Sequence, residues 1–121
     1  MPSLFEVTAG KLTGPTTGGT VTQATNKGTG VTLNTESGQI TMNDAALAAA
    51  AEVSFTVTNS EIAATDVVVV NHGSAGTAGS YLVGVSAIAA GSFGITVTNV
   101  SAGSLSEAIV INFVALKGDS S

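Results

Sequence analysis

The chain has 121 residues, enough for one domain with a real core and too few for a second. Eight acids against three lysines and no arginine give a net charge of −5, so no phosphate-neutralising stripe can be built and nucleic acid is excluded as a partner. Only 9% of residues are charged, against about 25% in an average soluble protein, so the surface must be Ser, Thr, Asn, Gly and Ala or be covered by other chains.

Residues 1–18 read as an N-terminal arm and loop. Leu4, Phe5 and Val7 suit a short strand, and Lys11 to Gly19 (KLTGPTTGG) suits a loop. The start has no basic n-region or apolar core, so it does not read as a signal peptide. The most apolar stretch, Ile62 to Val70, is broken by Asp66 and is far short of the ~20 residues of a membrane span. No membrane partner is expected.

Short strands follow at Thr20–Gln23, Gly30–Leu33 and Gly38–Met42, with turns at Asn26-Lys27-Gly28 and Glu36-Ser37-Gly38. Their apolar content is thin, as at a sheet edge or corner. Asn43-Asp44 before Ala45 to Ala51 is the one helical signal, because either polar residue can cap a turn of alanines. Eight residues are too few to stand alone, so one short helical turn near 44–51 is expected, held by its neighbours. Glu52 to Asn59 alternates with Val53, Phe55 and Val57 inward and one face toward solvent.

Asp66 to Asn71 (DVVVVN) is apolar on both faces and reads as a central, covered strand. His72 to Gly79 reads as a flexible glycine loop before a strand carrying Tyr81, Val83, Val85 and Ala87. Phe93, Ile95 and Val97 alternate with small and polar residues. After a turn around Gly103, a second run places Ile109, Ile111 and Phe113 on one side and Val110, Val114 and Leu116 on the other. The two runs read as an antiparallel hairpin whose second strand is central. FTVTNS and ITVTNV, at Phe55 and Ile95, echo each other as two strands that end in Asn at a turn. Eight or so short strands with regular turn signals predict an all-β fold, an antiparallel β-sandwich or jelly roll, over residues 19–118, with a tail at 119–121.

Chemistry is sparse. His72 is the only histidine, so any triad must pass through it, and HGSAG lacks the glycine two places before Ser74 that a nucleophile elbow needs. Cysteine is absent and no second histidine exists, which leaves no zinc set. Asp44, Glu52, Glu61 and Asp66 are scattered rather than spaced as a calcium loop. Gly73, Gly76 and Gly79 lack the Gly-Lys-Ser/Thr ending of a phosphate cradle. No enzyme, cofactor, metal or small-molecule substrate is expected.

Three stretches, GGTVTQATNKGTGVTLN from Gly18, NSEIAATDVVVVN from Asn59 and ITVTNVSAGSLSEAIVINFVALKG from Ile95, cover most of Gly18 to Gly118. Together they resemble the small bacteriophage capsid decoration (cement) proteins; similar sequences also end phage tail fibres. The resemblance implies a β-sandwich, homotrimeric, clamped on the outer capsid surface over junctions of the major capsid protein. It implies a virion component made in the host bacterial cytoplasm. A chain that starts at Met1 and stops three residues past the pattern is expected to act as a free-standing decoration protein. The rival is a tail-fibre or receptor-binding module for a host cell-surface glycan, which the absence of Trp and the strand-bound Tyr81 disfavour. Expected capsid or neighbour contacts are Leu4, Phe5, Lys11 and Leu12 in the arm. Ala45, Ala46, Leu47 and Ala48 are the expected self-association patch, because alanine lets backbones approach closely.

Overall fold

The computed structural model describes residues 6–8, 11–13 and 18–118. The fold is all-β. Ten strands run in chain order: β1 (Glu6–Thr8), β2 (Lys11–Thr13), β3 (Thr20–Thr22), β4 (Val31–Thr32), β5 (Ser37–Thr41), β6 (Glu52–Thr58), β7 (Val67–Ser74), β8 (Tyr81–Ala89), β9 (Ser92–Asn99) and β10 (Val110–Leu116). β1 and β2 pair antiparallel as a two-stranded sheet of their own. The other eight form two four-stranded sheets, β3-β5-β10-β7 (the first sheet) and β4-β6-β9-β8 (the second sheet).

The sheets face each other across a core of Val31, Ile40, Phe55, Val57, Phe93, Ile95, Val97, Ile111 and Phe113, all buried. Phe93 and Phe113 meet from opposite sheets with ring centroids 5.5 Å apart. The two-residue period of strands puts these side chains inward and their neighbours outward. The antiparallel expectation holds for the interior pairs, but each sheet is mixed: β3 runs parallel to β5 and β4 parallel to β6.

Four expectations change. The runs at 93–97 and 109–116 do not form a hairpin: β9 and β10 lie in different sheets and pack face to face. The chain crosses between sheets at every step from β3 to β8, and the only hairpin within the sandwich is β8–β9. A 10-residue link allows that crossing, so apolar periodicity alone does not fix which strand a run will pair with.

No helix forms at 44–51. Asn43 Oδ1 does accept the Ala45 N–H at 2.8 Å, a cap-like start, but Leu47 then exchanges both backbone hydrogen bonds with Leu105 and its side chain enters the core. Ala50 turns the chain with φ of 63° so that its N–H reaches Asn99 O at 2.9 Å. Tertiary pairing outweighs the helix propensity of a segment this short.

The valine run is not central. β7 is the edge of the first sheet, paired on one side only, with β10. Nor is His72 in a loop: β7 extends to Ser74, and the glycine turn is confined to 75–80, where Ala75, Gly76 and Gly79 have positive φ. β10 is central as expected, between β5 and β7.

Candidate interaction surface

The polar side chains able to do chemistry are mostly consumed by the fold. Glu107 is the best example. Its Oε1 accepts the Tyr81 hydroxyl at 2.8 Å and the Thr77 amide at 3.0 Å, while Oε2 accepts the Thr77 hydroxyl at 2.8 Å. The Tyr81 hydroxyl, and then the Thr77 amide and hydroxyl, hold the Glu107 carboxyl below its ordinary range. Burial, with the nearby Glu107 charge, pushes the Tyr81 phenol up to about 12. The His72 ring meets Tyr81 edge-on at 5.5 Å, and its Nε2 lies 2.6 Å from Ala75 O. A pocket of about 280 Å³ lies beside this knot, lined by His72, Gly73, Ser74, Ala75, Gly79 and Tyr81. Its carboxylate has both oxygens engaged and its imidazole is turned to backbone carbonyls, so nothing there presents a nucleophile with a base.

Two lysines are likewise structural. Lys27 is buried and donates to the carbonyl oxygens of Asn43 and Glu107. Burial pulls its ammonium pKa down, opposed by Asp44 and Glu107. Lys117 Nζ donates to Asp66 Oδ2 at 2.6 Å. Asp66, its side chain 1% exposed, also accepts the Ala63 and Gly118 amides. Burial alone would raise the Asp66 carboxyl; the two amides and the ammonium more than reverse this and hold it low. Among the described residues no three His, Asp or Glu side chains gather where a metal ion could sit.

The outer surfaces of the two sheets differ in kind. The second sheet shows Ser54, Thr56, Thr58, Ser92, Thr96 and Thr98, with a Ser54–Thr96 hydroxyl bond of 2.7 Å. The first sheet divides. Toward β3 it shows Thr20, Thr22, Gln39 and Thr41, and toward β7 it is aliphatic. There Val69 lies opposite Val114 and Val67 opposite Leu116, in adjoining rows of one face. Val67 is 57% exposed and Val69 49%. A shallow depression between β7 and β10 is lined by Val69, Asn71, Asn112 and Val114. Leu82 on β8, 63% exposed, lies opposite Thr98 on the outer face of the second sheet, and Val100, 49% exposed, is bonded through its amide to Ser80.

The residues singled out from the sequence lie elsewhere. Leu4 and Phe5 fall outside the described residues. Lys11 and Leu12 belong to β2, where Leu12 pairs with Val7 and Lys11 with Thr8. Of the alanine-rich patch, Ala46 and Ala48 are exposed, Ala45 is half-buried, and Leu47 is buried in the chain's own core. The β7–β10 surface was missed as a site, although its signal was present: a strand apolar on both faces needs cover on both. Searches against protein-family models, curated proteins and solved structures find no match to this chain.

Proposed function

We propose that this protein is a structural module that works by binding other polypeptides, and that its role is that of a phage head decoration protein seated on the outer surface of the capsid. The observation that carries the reading is the aliphatic face of Val67, Val69, Val114 and Leu116. Both sides of β7 are apolar, yet the chain covers only the inner one. Contiguous exposed apolar surface of this kind marks protein contact sites. The consumption of Glu107, Lys27, Asp66 and Lys117 by internal bonds supports the same reading, because it leaves contact area rather than reactive groups outside. A ligand that binds only the assembled lattice stabilises that lattice by mass action, which is what a decorated shell requires against packaged DNA.

The test is co-sedimentation of the purified protein with isolated phage shells and, separately, with isolated tails. Saturable binding to shells, weakened at least tenfold by Val69→Lys and Val114→Lys together, is the expected result. Binding to tails alone would replace this reading with the fibre module for a cell-surface glycan. Deleting Met1 to Leu12 should leave the sandwich folded and weaken shell binding; unchanged shell occupancy would remove the arm from the contact.

A further inference from the structure

The sandwich has four edge strands, and three of them are blunted. β3 and β4 span three and two residues, too short to template another strand. β8 carries a bulge between Val85 and Ala87, where Ser86 has no partner opposite, and a bulge twists an edge away from pairing. β7 is eight residues long and meets its bulge only beyond His72. From Val67 to Asn71 its ladder with β10 is regular, and its own bulge falls at the far end, between Val110 and Ile111. The strand contains no charge and no proline. Among the described residues, Val67 to Gly73 make no backbone hydrogen bond outside the β10 ladder. An edge that is long, flat, uncharged and apolar is what natural sheets avoid leaving open.

We infer that the β7 edge pairs with β7 of a second copy of this chain, antiparallel about a two-fold axis, joining the two first sheets into one eight-stranded sheet. The inference rests on reading this side of the molecule as an interface, and three observations choose a second copy as the occupant. Electrostatics comes first. A chain of net charge −5 repels its own copy unless the carboxylates beside the contact are engaged within the chain, and toward the two ends of β7 Asp66 and Glu107 are each held by internal bonds. β7, Val114 and Leu116 carry no charge, and Asp66, just before β7, is neutralised by Lys117. Self-complementarity comes second. An antiparallel pairing of VVVVN with itself sets valines and an asparagine against valines and an asparagine in any nearby register, and it closes, leaving no open edge to propagate a fibre. Area comes third. Eight residues span about 26 Å, and two sheets with their side chains are roughly 20 Å thick, so the flank offers on the order of 500 Å² per copy, about 1,000 Å² in total. That lies just below the ~1,200 Å² at which standard interfaces start and at the ~1,000 Å² that a weaker, reversible interface needs. Pairing also doubles the aliphatic face, placing two sets of Val67, Val69, Val114 and Leu116 side by side on one sheet.

The absence of cysteine makes the test direct. Val67→Cys, Val69→Cys and Asn71→Cys are made singly, with Thr56→Cys on the second sheet as a control. Light scattering of the unmodified chain should give twice the 11.7 kDa chain mass. Under mild oxidation one of the three β7 positions should cross-link most of the protein, with yield falling to either side of it, because only the residue nearest a two-fold axis faces its own copy. Thr56→Cys should stay uncrosslinked. A monomer would overturn the inference, as would a trimer, because a two-fold pairing closes at two copies; the count therefore differs from the trimer that the resemblance implies. So would a dimer whose cross-links do not peak on β7. Shell binding is measured on the same samples: a β7-linked dimer that binds no shell leaves the pairing standing and defeats the decoration role, and a monomer that binds shells does the reverse.

Discussion

At the scale of single residues, the polar groups act as fasteners between segments remote in sequence. Asp66 is joined to Lys117, 51 positions away, and Lys27 to Glu107, 80 positions away. Such pairs cannot be read from spacing, which is why the acids looked scattered and the lysines unremarkable. The depressed Asp66 pKa has a consequence of definite sign. Its folded value lies below its unfolded value of roughly 3.9, so the stability it contributes is complete above that pH and is lost as pH falls through the folded value. Asp66→Ala should cost about 2–4 kcal/mol at pH 7, since it leaves the Ala63 and Gly118 amides without their acceptor and Lys117 with only the Glu61 carbonyl. The gap to the unmodified chain, measured by urea unfolding, should close below about pH 4; a pH-independent gap would refute the charge-based account. Gly38 makes a steric case. A Cβ there would lie 2.7 Å from Gly19 O, 2.9 Å from Leu33 Cδ2 and 3.1 Å from Phe113 Cε1. Gly38→Ala should therefore lower stability by about 1–3 kcal/mol, as overpacking does, and shift the thermal midpoint accordingly.

At the scale of elements, alternation served well and pairing did not. The inward set of β6 and the two-faced apolar text of β10 gave the right faces, because a period of two is a local property of the chain. The partner of each strand depends on what else arrives, so the 93–116 hairpin and the central place of β7 failed. The alanine segment failed for a different reason: Leu47 gains a core position and two backbone bonds to Leu105 that a free helical turn cannot match. The echo of FTVTN and ITVTN carried more than its brevity promised. β6 and β9 are antiparallel neighbours, and each ends in a fully buried asparagine set against the start of the other. Asn59 takes the Gly91 carbonyl with its amide and the Thr35 carbonyl with Nδ2 at 2.7 Å. Asn99 takes Ala51 O with its amide, and its Nδ2 donates to Leu47 O and Gly103 O at 2.8 and 2.9 Å. Asn59→Ala leaves the Thr35 carbonyl without its Nδ2 donor, and Asn99→Ala takes one of two donors from Leu47 O and from Gly103 O, each at a cost of about 1–3 kcal/mol. Asn99→Ala should be the worse of the two, because its side chain makes four hydrogen bonds against two for Asn59; equal shifts in urea midpoint would contradict this.

At the scale of the whole molecule, the all-β class was legible from turn spacing, while the exposed aliphatic face of β7 was legible only as a contradiction. A strand apolar on both faces was read as covered, and the chain itself covers only the inner one, leaving Val67 and Val69 exposed. Cover from outside and an open edge are two views of one requirement, so a capsid lattice and a sister copy can meet it on different sides of β7. The central place of β10 has a further bearing, on biosynthesis. It is the last strand of the sandwich to leave the ribosome, yet β5 and β7 depend on it to join one sheet. Until it emerges, the valines of β7 have no ladder. Ribosome-held chains that stop at Leu105 should be cleaved throughout by added protease, and chains extended past Ser121 by a spacer long enough to clear the exit tunnel should resist it. The inner valines of β7, Val68 and Val70, gain their place against the core only once β10 has emerged.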